Sequence, residues 1–176
     1  GVLGKGVQLS GGYIDLTGTD NFNYSKGMSL SVWVKMNTDN DFTNHAILYK
    51  AGPEGGDVAL DFNFGYDLQL FLSEFGFMGD LGNEYYDFPQ DINLYKIDPS
   101  QLVEKWAHIV TTFDGKEQKF YLDGDLLHSE YVPVEITKII NDYMKSPFPL
   151  RIGKNYEYSF DGYMDEFKLF DYALSE

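Results

Sequence analysis

The sequence predicts an all-β fold, a β-sandwich of two antiparallel sheets, and three observations support this prediction. Apolar and polar residues alternate strictly over residues 30–36 and again over residues 58–64, which is the period of a half-buried strand. Asp-Gly pairs at 114–115 and 123–124 separate apolar segments, as they do in β-hairpins. No long segment has the helical period. Many short strands divided by regular turns favour a sandwich or a barrel.

The predicted strands follow one another along the chain. Residues 65–67 turn segment 58–64 into segment 68–72, which indicates a hairpin. The later strands are predicted at residues 106–113, 119–122, 151–153 and 162–170. The apolar positions of these strands predict a core that contains Leu30, Val32, Val34, Leu60, Phe62 and Ile109.

Only short helices are expected, at residues 98–102 and 173–176. The sequence contains no internal repeat, no low-complexity tract and no Pro/Ser-rich linker. Its 176 residues are enough for one domain with a sizeable core. We therefore predict a single domain over residues 1–176.

The net charge of −15 and the pI of about 4.4 restrict the partners. A surface this acidic repels phosphate, so neither nucleic acid nor an anionic membrane is expected as a partner. Uncharged glycans, cationic proteins and metal ions stay open, and the alternative is that the acidity only keeps the domain soluble. The sequence has no cysteine, which excludes disulfides and thiolate metal sites. It has no apolar run near the ~20 residues of a membrane helix.

Two long connections interrupt the strand pattern, at residues 73–99 and 131–149. The first is rich in glycine and aromatic residues, and its aromatic content argues against simple disorder. Connections of this length in a compact domain are often functional. We expect the ligand site to include residues 73–99 and to take a neutral or cationic ligand.

Three segments, in order, resemble the laminin-G-like jelly roll of the concanavalin A-like lectin/glucanase superfamily. Residues 28–35 resemble an early strand with a central Trp33. Residues 105–124 resemble the hairpin with the pattern W-x-H, DG and YxDG. Residues 150–175 resemble the closing element with the pattern IG, FxGxxDE and ALS. The resemblance implies a jelly-roll sandwich but no particular ligand, because this architecture carries lectins, adhesion modules, spacers and a few enzymes.

Catalysis is not expected. Glucanases of the superfamily place carboxylates at alternate positions of one strand, whereas Asp165 and Glu166 are adjacent and a regular strand points them to opposite faces. The nearest imitation is the alternate spacing of Asp57, Asp61 and Asn63, which lacks a Glu and a supporting carboxylate run. Lyases of the superfamily need an Arg-rich strand, and the sequence has one arginine. The three histidines are scattered, and His108 is interpreted as structural.

The resemblance also implies a structural Ca²⁺ at Asp165. Strict alternation places Asp165 on one face with Tyr163, Phe167 and Leu169, where a carboxylate is costly unless it is paired or coordinated. Related jelly rolls often hold calcium with this aspartate and the N-terminal segment, so Asp15 or carbonyls near residues 11–12 are candidate further ligands. The alternative, left open, is that Asp165 caps backbone amides.

Sugar sites combine an aromatic platform with planar polar groups. Two stretches fit this description, and Tyr66 in a predicted turn is a third candidate. The predicted ligand-binding residues are Tyr66, Tyr85, Tyr86, Asp87, Asn155, Tyr156 and Tyr158. The alternative is that these tyrosines cover sheet edges.

The sequence therefore predicts a non-catalytic carbohydrate-binding module of a secreted or cell-surface protein, part of a larger chain. The expected location is extracellular, periplasmic or at the cell surface. No signal peptide is visible from Gly1 onward, so an export signal would precede this sequence. A protein-protein adhesion or structural domain is the alternative function, and a glycan hydrolase or lyase is a remote one.

Overall fold

The structure is a computed structural model. It describes residues 1–18, 26–37, 45–51, 58–64, 69–72, 95–96, 101–132, 134, 137–138, 141, 145, 147–155 and 158–175. Between residues 51 and 100, and at Glu130, the description covers the backbone alone.

The described residues form mostly strands in two antiparallel sheets, which confirms the predicted fold class. The strands are β1 (Val7–Ser10), β2 (Ile14–Leu16), β3 (Met28–Met36), β4 (His45–Ala51), β5 (Val58–Phe64), β6 (Gln69–Leu72), β7 (Tyr95–Lys96), β8 (Ala107–Phe113), β9 (Glu117–Leu122), β10 (Asp125–Tyr131), β11 (Leu150–Ile152) and β12 (Asp161–Phe170).

Each sheet has six strands. Sheet A has the order β1-β12-β3-β8-β9-β10, and sheet B has the order β2-β11-β4-β5-β6-β7. The consecutive strands β1 and β2 are edge strands of different sheets, so the chain crosses the sandwich between them. The crossing places the residues around β2 at the exposed margin of sheet B.

Both Asp-Gly turns form as predicted. Asp123 and Gly124 have φ of 51° and 93°, and positive φ at both central residues is typical of the type I′ turn that matches strand twist. At the first turn, Asp114 Oδ1 accepts hydrogen bonds from the amides of Lys116 (2.9 Å) and Glu117 (2.8 Å). These bonds lower the pKa of Asp114, the bond from Glu117 most of all. The two turns join β8, β9 and β10 into a meander.

The core lies between the inner faces of the two sheets. Leu30, Val32, Val34 and Ile109 are at most 1% exposed, as predicted. Pairing across the centre of sheet A sets Val32 opposite Ile109, so the apolar face of β3 continues into β8. The side chains of the predicted core residues Leu60 and Phe62 lie outside the described residues.

The helix predictions were wrong where the structure tests them. Residues 173–175 have no helical backbone, and Gln101 begins only a 3₁₀ turn. Helical backbone occurs instead at residues 134, 137, 138 and 141, inside the predicted connection 131–149. The three prolines in that connection argued against a helix, because a helix tolerates proline only in its first turn.

Candidate functional site

A β-bulge in β12 lies directly after Asp165. The pairing with β3 shifts between Asp165 and Lys168, and Glu166 has φ of 50°. Two residues of β12 therefore lie opposite one residue of β3, which reverses the alternation beyond the bulge. Leu169 lies opposite Leu30, and Phe167 and Leu169 pack against the core. The prediction that Asp165 shares its face with Phe167 and Leu169 was wrong, because strict alternation does not hold across a bulge.

The same bulge corrects the prediction for Asp165 and Glu166. The Glu166 carboxylate lies 2.8 Å from Lys168 Nζ, and Lys168 is opposite Ser31 on the outer face of sheet A. Asp165 lies opposite Trp33 on the same face. The two carboxylates are therefore not on opposite faces, and each is engaged in local bonds.

Asp165 is bonded to backbone amides, as the open alternative describes. Its Oδ2 accepts a hydrogen bond from the Leu3 amide (3.2 Å), and its Oδ1 accepts one from the Glu166 amide (2.9 Å). The bond from Leu3 is the main cause that lowers the pKa of Asp165, with smaller effects of Glu166 and Val2. The carboxylate thus fastens the segment before β1 to β12.

The described residues do not fit the implied calcium site. Asp15 belongs to sheet B, and both of its oxygens are bonded to Arg151. No group of three or more His, Asp or Glu side chains that could hold a metal occurs within the described ranges. Asp165 is therefore a single carboxylate that already accepts two amides. Calcium binding at Asp165 stays a prediction.

A compact aromatic and charged cluster lies at the β2 edge of sheet B, and we call Tyr13, Asp15, Arg151 and Lys154 the Tyr13 cluster. Asp15 of β2 pairs with Arg151 of β11, so both side chains point to the same face. Arg151 donates from Nε to Asp15 Oδ1 (2.8 Å) and from Nη2 to Asp15 Oδ2 (3.2 Å). These bonds are the main cause that raises the pKa of Arg151.

The ring of Tyr13 lies against this ion pair. The guanidinium carbon of Arg151 is 4.0 Å from the ring centroid, and Lys154 Nζ is 5.8 Å from it. Tyr13 is 49% exposed, so much of the ring stays available to solvent. Bidentate pairing and stacking together hold the guanidinium plane in one orientation.

Gly153 allows the next turn to approach Tyr13. Its φ is 84°, and a Cβ there would lie 2.6 Å from Leu9 Cδ1 and 3.4 Å from the Gly12 carbonyl oxygen. At this φ a side chain would be strained, and the flexible end of the Leu9 side chain would have to shift. The glycine therefore supports the geometry of the Tyr13 cluster.

The turn after Lys154 contains two of the predicted ligand-binding residues. Lys154 and Ser159 form an antiparallel bridge. Asn155 is 6% exposed. Its side-chain Oδ1 accepts a hydrogen bond from the backbone amide of Tyr158 (2.6 Å), and its backbone amide donates to the Tyr158 carbonyl (2.9 Å). Asn155 thus closes the turn, and Tyr158 is half-buried beside it.

The outer face of sheet A carries both tryptophans. Trp33 stacks on His108 with centroids 4.9 Å apart, and Trp106 lies 6.4 Å from the ring of Tyr163. All four side chains are half-buried. We call Trp33, Trp106, His108 and Tyr163 the tryptophan face.

His108 could be compared with a catalytic base, because its Nε2 lies 2.8 Å from Ser31 Oγ. A base of this kind is oriented by a carboxylate on the other ring nitrogen. Here Asp123 Oδ1 accepts a hydrogen bond from the backbone amide of His108 (2.8 Å). Burial lowers the pKa of His108, Asp123 opposes this effect and Lys168 reinforces it. Stacking on Trp33 and the bond to Ser31 indicate a structural histidine.

The other predicted ligand-binding residues lie outside the described residues; they are Tyr66, Tyr85, Tyr86, Asp87 and Tyr156. The sequence did not reveal that Tyr13 and Lys154 form a cluster with Asp15 and Arg151. The sequence did contain one signal for such a cluster. Tyr13 and Asp15 lie on either side of an apolar residue, and Arg151 is the single arginine. Nothing in the sequence indicated that Asp15 and Arg151, which are 136 positions apart, lie side by side.

The two six-stranded antiparallel sheets are those of a concanavalin A-like β-sandwich domain. The family model that matches residues 8–176 is described as the concanavalin A-like lectin/glucanases superfamily, and the chain belongs to this superfamily. A search of curated protein sequences finds no match. Within the described residues, no helix is long and apolar enough to cross a membrane.

Solved structures similar to this chain include three binding proteins. The binding domain of botulinum neurotoxin DC, in complex with rat synaptotagmin II, has a TM-score of 0.56 and 15% identity over 93% of this chain and 37% of that one. A receptor binding domain has a TM-score of 0.57 and 14% identity over 93% and 36%. A candidate carbohydrate-binding protein from Bacteroides ovatus has a TM-score of 0.55 and 14% identity over 97% and 44%. The chain spans less than half the length of these structures, and identities this low establish the fold alone.

Proposed function

We propose that the chain is a non-catalytic carbohydrate-binding module of a secreted or cell-surface protein. The observation that carries the proposal is the Tyr13 cluster, in which a half-exposed ring lies beside a bidentate ion pair of Asp15 and Arg151. A sugar packs its C–H face on such a ring, while carboxylate and guanidinium groups bond its hydroxyls. The cluster is held rigid by backbone pairing of β2 and β11, which lowers the entropy cost of binding.

A non-catalytic role fits the surroundings of the acidic residues. Glu166 is paired with Lys168, and Asp165 is bonded to two amides. A retaining glycosidase instead needs two carboxyl groups about 5–5.5 Å apart on either side of a bond, one of them free to donate a proton. The fold neighbours named above as binding proteins are consistent with a module that binds and does not react.

The alternative function is adhesion to an extracellular protein, and the tryptophan face favours it. Half-buried Trp33 and Trp106 lie on the outer face of a six-stranded sheet. Tryptophan is enriched among the residues that dominate the binding energy of protein interfaces. The two functions would therefore use different sheets of the sandwich, so substitutions in one sheet can be compared with substitutions in the other.

A glycan array with matched variants tests the proposed function. We expect sugar-dependent binding that Tyr13→Ala weakens about fivefold, since loss of ring stacking removes roughly 1 kcal/mol. The matched control is Tyr131→Ala, because Tyr131 is 64% exposed and lies on β10, an edge strand of sheet A. Tyr85→Ala and Tyr156→Ala extend the test to the other predicted platforms.

The outcomes separate the two functions. Binding that Tyr13→Ala weakens and Tyr131→Ala preserves supports the carbohydrate module. A silent array, together with capture of a protein ligand that Trp33→Ala abolishes, supports adhesion and rejects the carbohydrate proposal. Equal effects of Tyr13→Ala and Tyr131→Ala would also reject the Tyr13 cluster as the site.

A further inference from the structure

The Tyr13 cluster concentrates positive charge in an acidic chain. The sequence carries 28 Asp and Glu against 13 Lys and Arg, and Arg151 is its single arginine. Arg151 and Lys154 nevertheless converge on one exposed ring, at 4.0 and 5.8 Å from its centroid. A negatively charged ligand group would meet Lys154 and the unused donors of Arg151, whose own charge is balanced by Asp15.

The hydrogen-bonding capacity of these cations is only partly used. Arg151 bonds Asp15 through Nε and Nη2, and in the described part of the chain Nη1 has no hydrogen bond. Lys154 has no ion pair with any residue that the structure describes, and its contact there is the Tyr13 ring. The remaining Arg151 donors and the ammonium are available to an incoming acceptor.

The equivalent pair on sheet A differs in this respect. Lys35 Nζ also lies 5.8 Å from a tyrosine centroid, that of Tyr163. Lys35 is, however, 3.8 Å from the Glu104 carboxylate, so its charge is compensated within the protein. Unlike Lys35, Lys154 has no carboxylate partner among the described residues.

The net charge of −15 does not exclude an anionic ligand at this position. Exposed charges more than about 10 Å apart are largely screened near 0.1 M salt, so local groups decide binding. Charge-assisted hydrogen bonds from a fixed guanidinium are roughly twice as strong as neutral ones. A ligand group within reach of Arg151 and Lys154 would therefore experience attraction.

We infer that the Tyr13 cluster binds a sugar that carries a negative charge, a carboxylate or a sulfate ester, with the sugar ring on Tyr13 and the anion between Arg151 Nη1 and Lys154 Nζ. This inference rests on the proposed carbohydrate-binding function and specifies the class of its ligand. Asp15 positions the guanidinium through its two hydrogen bonds with Arg151. The sugar stack and the anion contact together define the ligand.

Nitrogen–proton NMR titration tests the inference, because a chain with one arginine has a single Arg Nε–Hε signal to follow. The probes are D-glucuronate, D-glucose 6-sulfate, D-glucose, acetate and inorganic sulfate. We expect a charged sugar to shift the Arg151 signal with affinity about tenfold higher than glucose, the size of one charge-assisted hydrogen bond. The difference should shrink as salt is raised.

Two variants assign the effect. Lys154→Gln should abolish the preference for the charged sugar while it preserves binding of glucose. Lys35→Gln, which removes the equivalent cation over Tyr163, should leave the preference unchanged. A response to glucuronate alone or to glucose 6-sulfate alone supports the inference and identifies the anion.

Three results would overturn it. Equal affinity for glucose and both charged sugars rejects the anion preference and leaves the carbohydrate-binding function standing. Equal responses to acetate, inorganic sulfate and the charged sugars identify a simple anion site and reject both the inference and the role of Tyr13 as a sugar platform. Absence of any response at Arg151 rejects the inference, and the glycan array then decides the proposed function separately.

Discussion

Individual side chains in this sandwich act through partners that are remote in sequence. Asp15 and Arg151 are 136 positions apart and form a bidentate ion pair. Ser29 Oγ donates to the Tyr172 carbonyl (3.0 Å) and accepts from the Leu174 amide (2.9 Å), which fastens the C-terminal segment to β3. Ser29 thus holds the segment around the ALS pattern of residues 173–175. The sequence predicted this pattern but not its partner Ser29.

His45 is the residue whose protonation should affect stability most directly. It is 3% exposed and lies edge-on to Phe160 at 6.2 Å, and neither ring nitrogen has a hydrogen-bond partner among the described residues. Burial lowers its pKa from the ordinary 6.5, and Asp161 opposes this shift. The folded state therefore favours neutral His45. Its contribution to stability is present above pH 6.5 and is lost as the pH falls through the folded-state pKa.

We expect the free energy of unfolding to fall between about pH 7.5 and about pH 5.5, and His45→Phe to reduce this slope. Phenylalanine fills a similar volume and does not titrate. Chemical denaturation at a series of pH values measures the effect, with His128→Gln on edge strand β10 as the control. Identical slopes in the native protein and His45→Phe would contradict the prediction.

At the scale of elements, β12 both packs on the core and holds the N-terminal segment. It pairs with both β1 and β3, Asp165 lies outward in regular register with Trp33, and the bulge that follows turns Phe167 and Leu169 against the core. Outward Asp165 then reaches the Leu3 amide. The strand thus connects core packing with attachment of the N-terminal segment.

We expect Asp165→Asn to lower the melting temperature and to speed amide hydrogen exchange in β1, because an amide oxygen accepts backbone hydrogen bonds more weakly than a carboxylate. Asp171→Asn is the control, since Asp171 is exposed just beyond β12. Unchanged exchange in β1 would show that the Asp165 bonds do not hold the edge strand.

The same melts test the calcium prediction. If Ca²⁺ binds at Asp165, chelation lowers the melting temperature, added calcium restores it, and Asp165→Asn removes the response, since a ligand specific for the folded state stabilises it by mass action. Melting that is independent of calcium after exhaustive chelation would reject calcium and leave the amide bonds as the whole role of Asp165.

At the scale of the molecule, the two sheets present separate surfaces. The Tyr13 cluster lies at the β2 edge of sheet B, and β7 forms the other edge. Six strands spaced about 4.8 Å apart put these edges roughly 24 Å from each other. Residues 73–94 and 97–99 lie outside the described residues, so recognition by residues 73–99 stays a prediction that is separate from the Tyr13 cluster.

We expect replacement of residues 78–91 by a short Gly/Ser loop to weaken glycan binding and to leave cooperative melting intact, because recognition is usually carried by loops while strands carry the core. Array binding and thermal melts measure the two effects, with Tyr85→Ala as a smaller change in the same segment. Collapse of melting would make the segment structural. Intact binding would leave Tyr85 and Tyr86 without a role in recognition.

The sequence by itself determined the fold class and the positions of the central strands. Alternation over residues 30–36 predicted the buried side of β3, and Asp123-Gly124 predicted a turn with positive φ, because both are local consequences of side-chain period and backbone sterics. The patterns of three segments also predicted the superfamily that the match over residues 8–176 confirms.

Only the tertiary structure decided what surrounds each candidate side chain. Strict alternation put Asp165 on one face with Phe167 and Leu169, whereas the bulge turns those two residues to the core and leaves Asp165 on the outer face, where it accepts from the Leu3 amide. Asp15 was predicted as a metal ligand, yet pairing of β2 with β11 gives its oxygens to Arg151. A bulge and a strand pairing depend on which segments meet in space, and that choice is made by packing of the whole sandwich and leaves no periodic signal in the sequence.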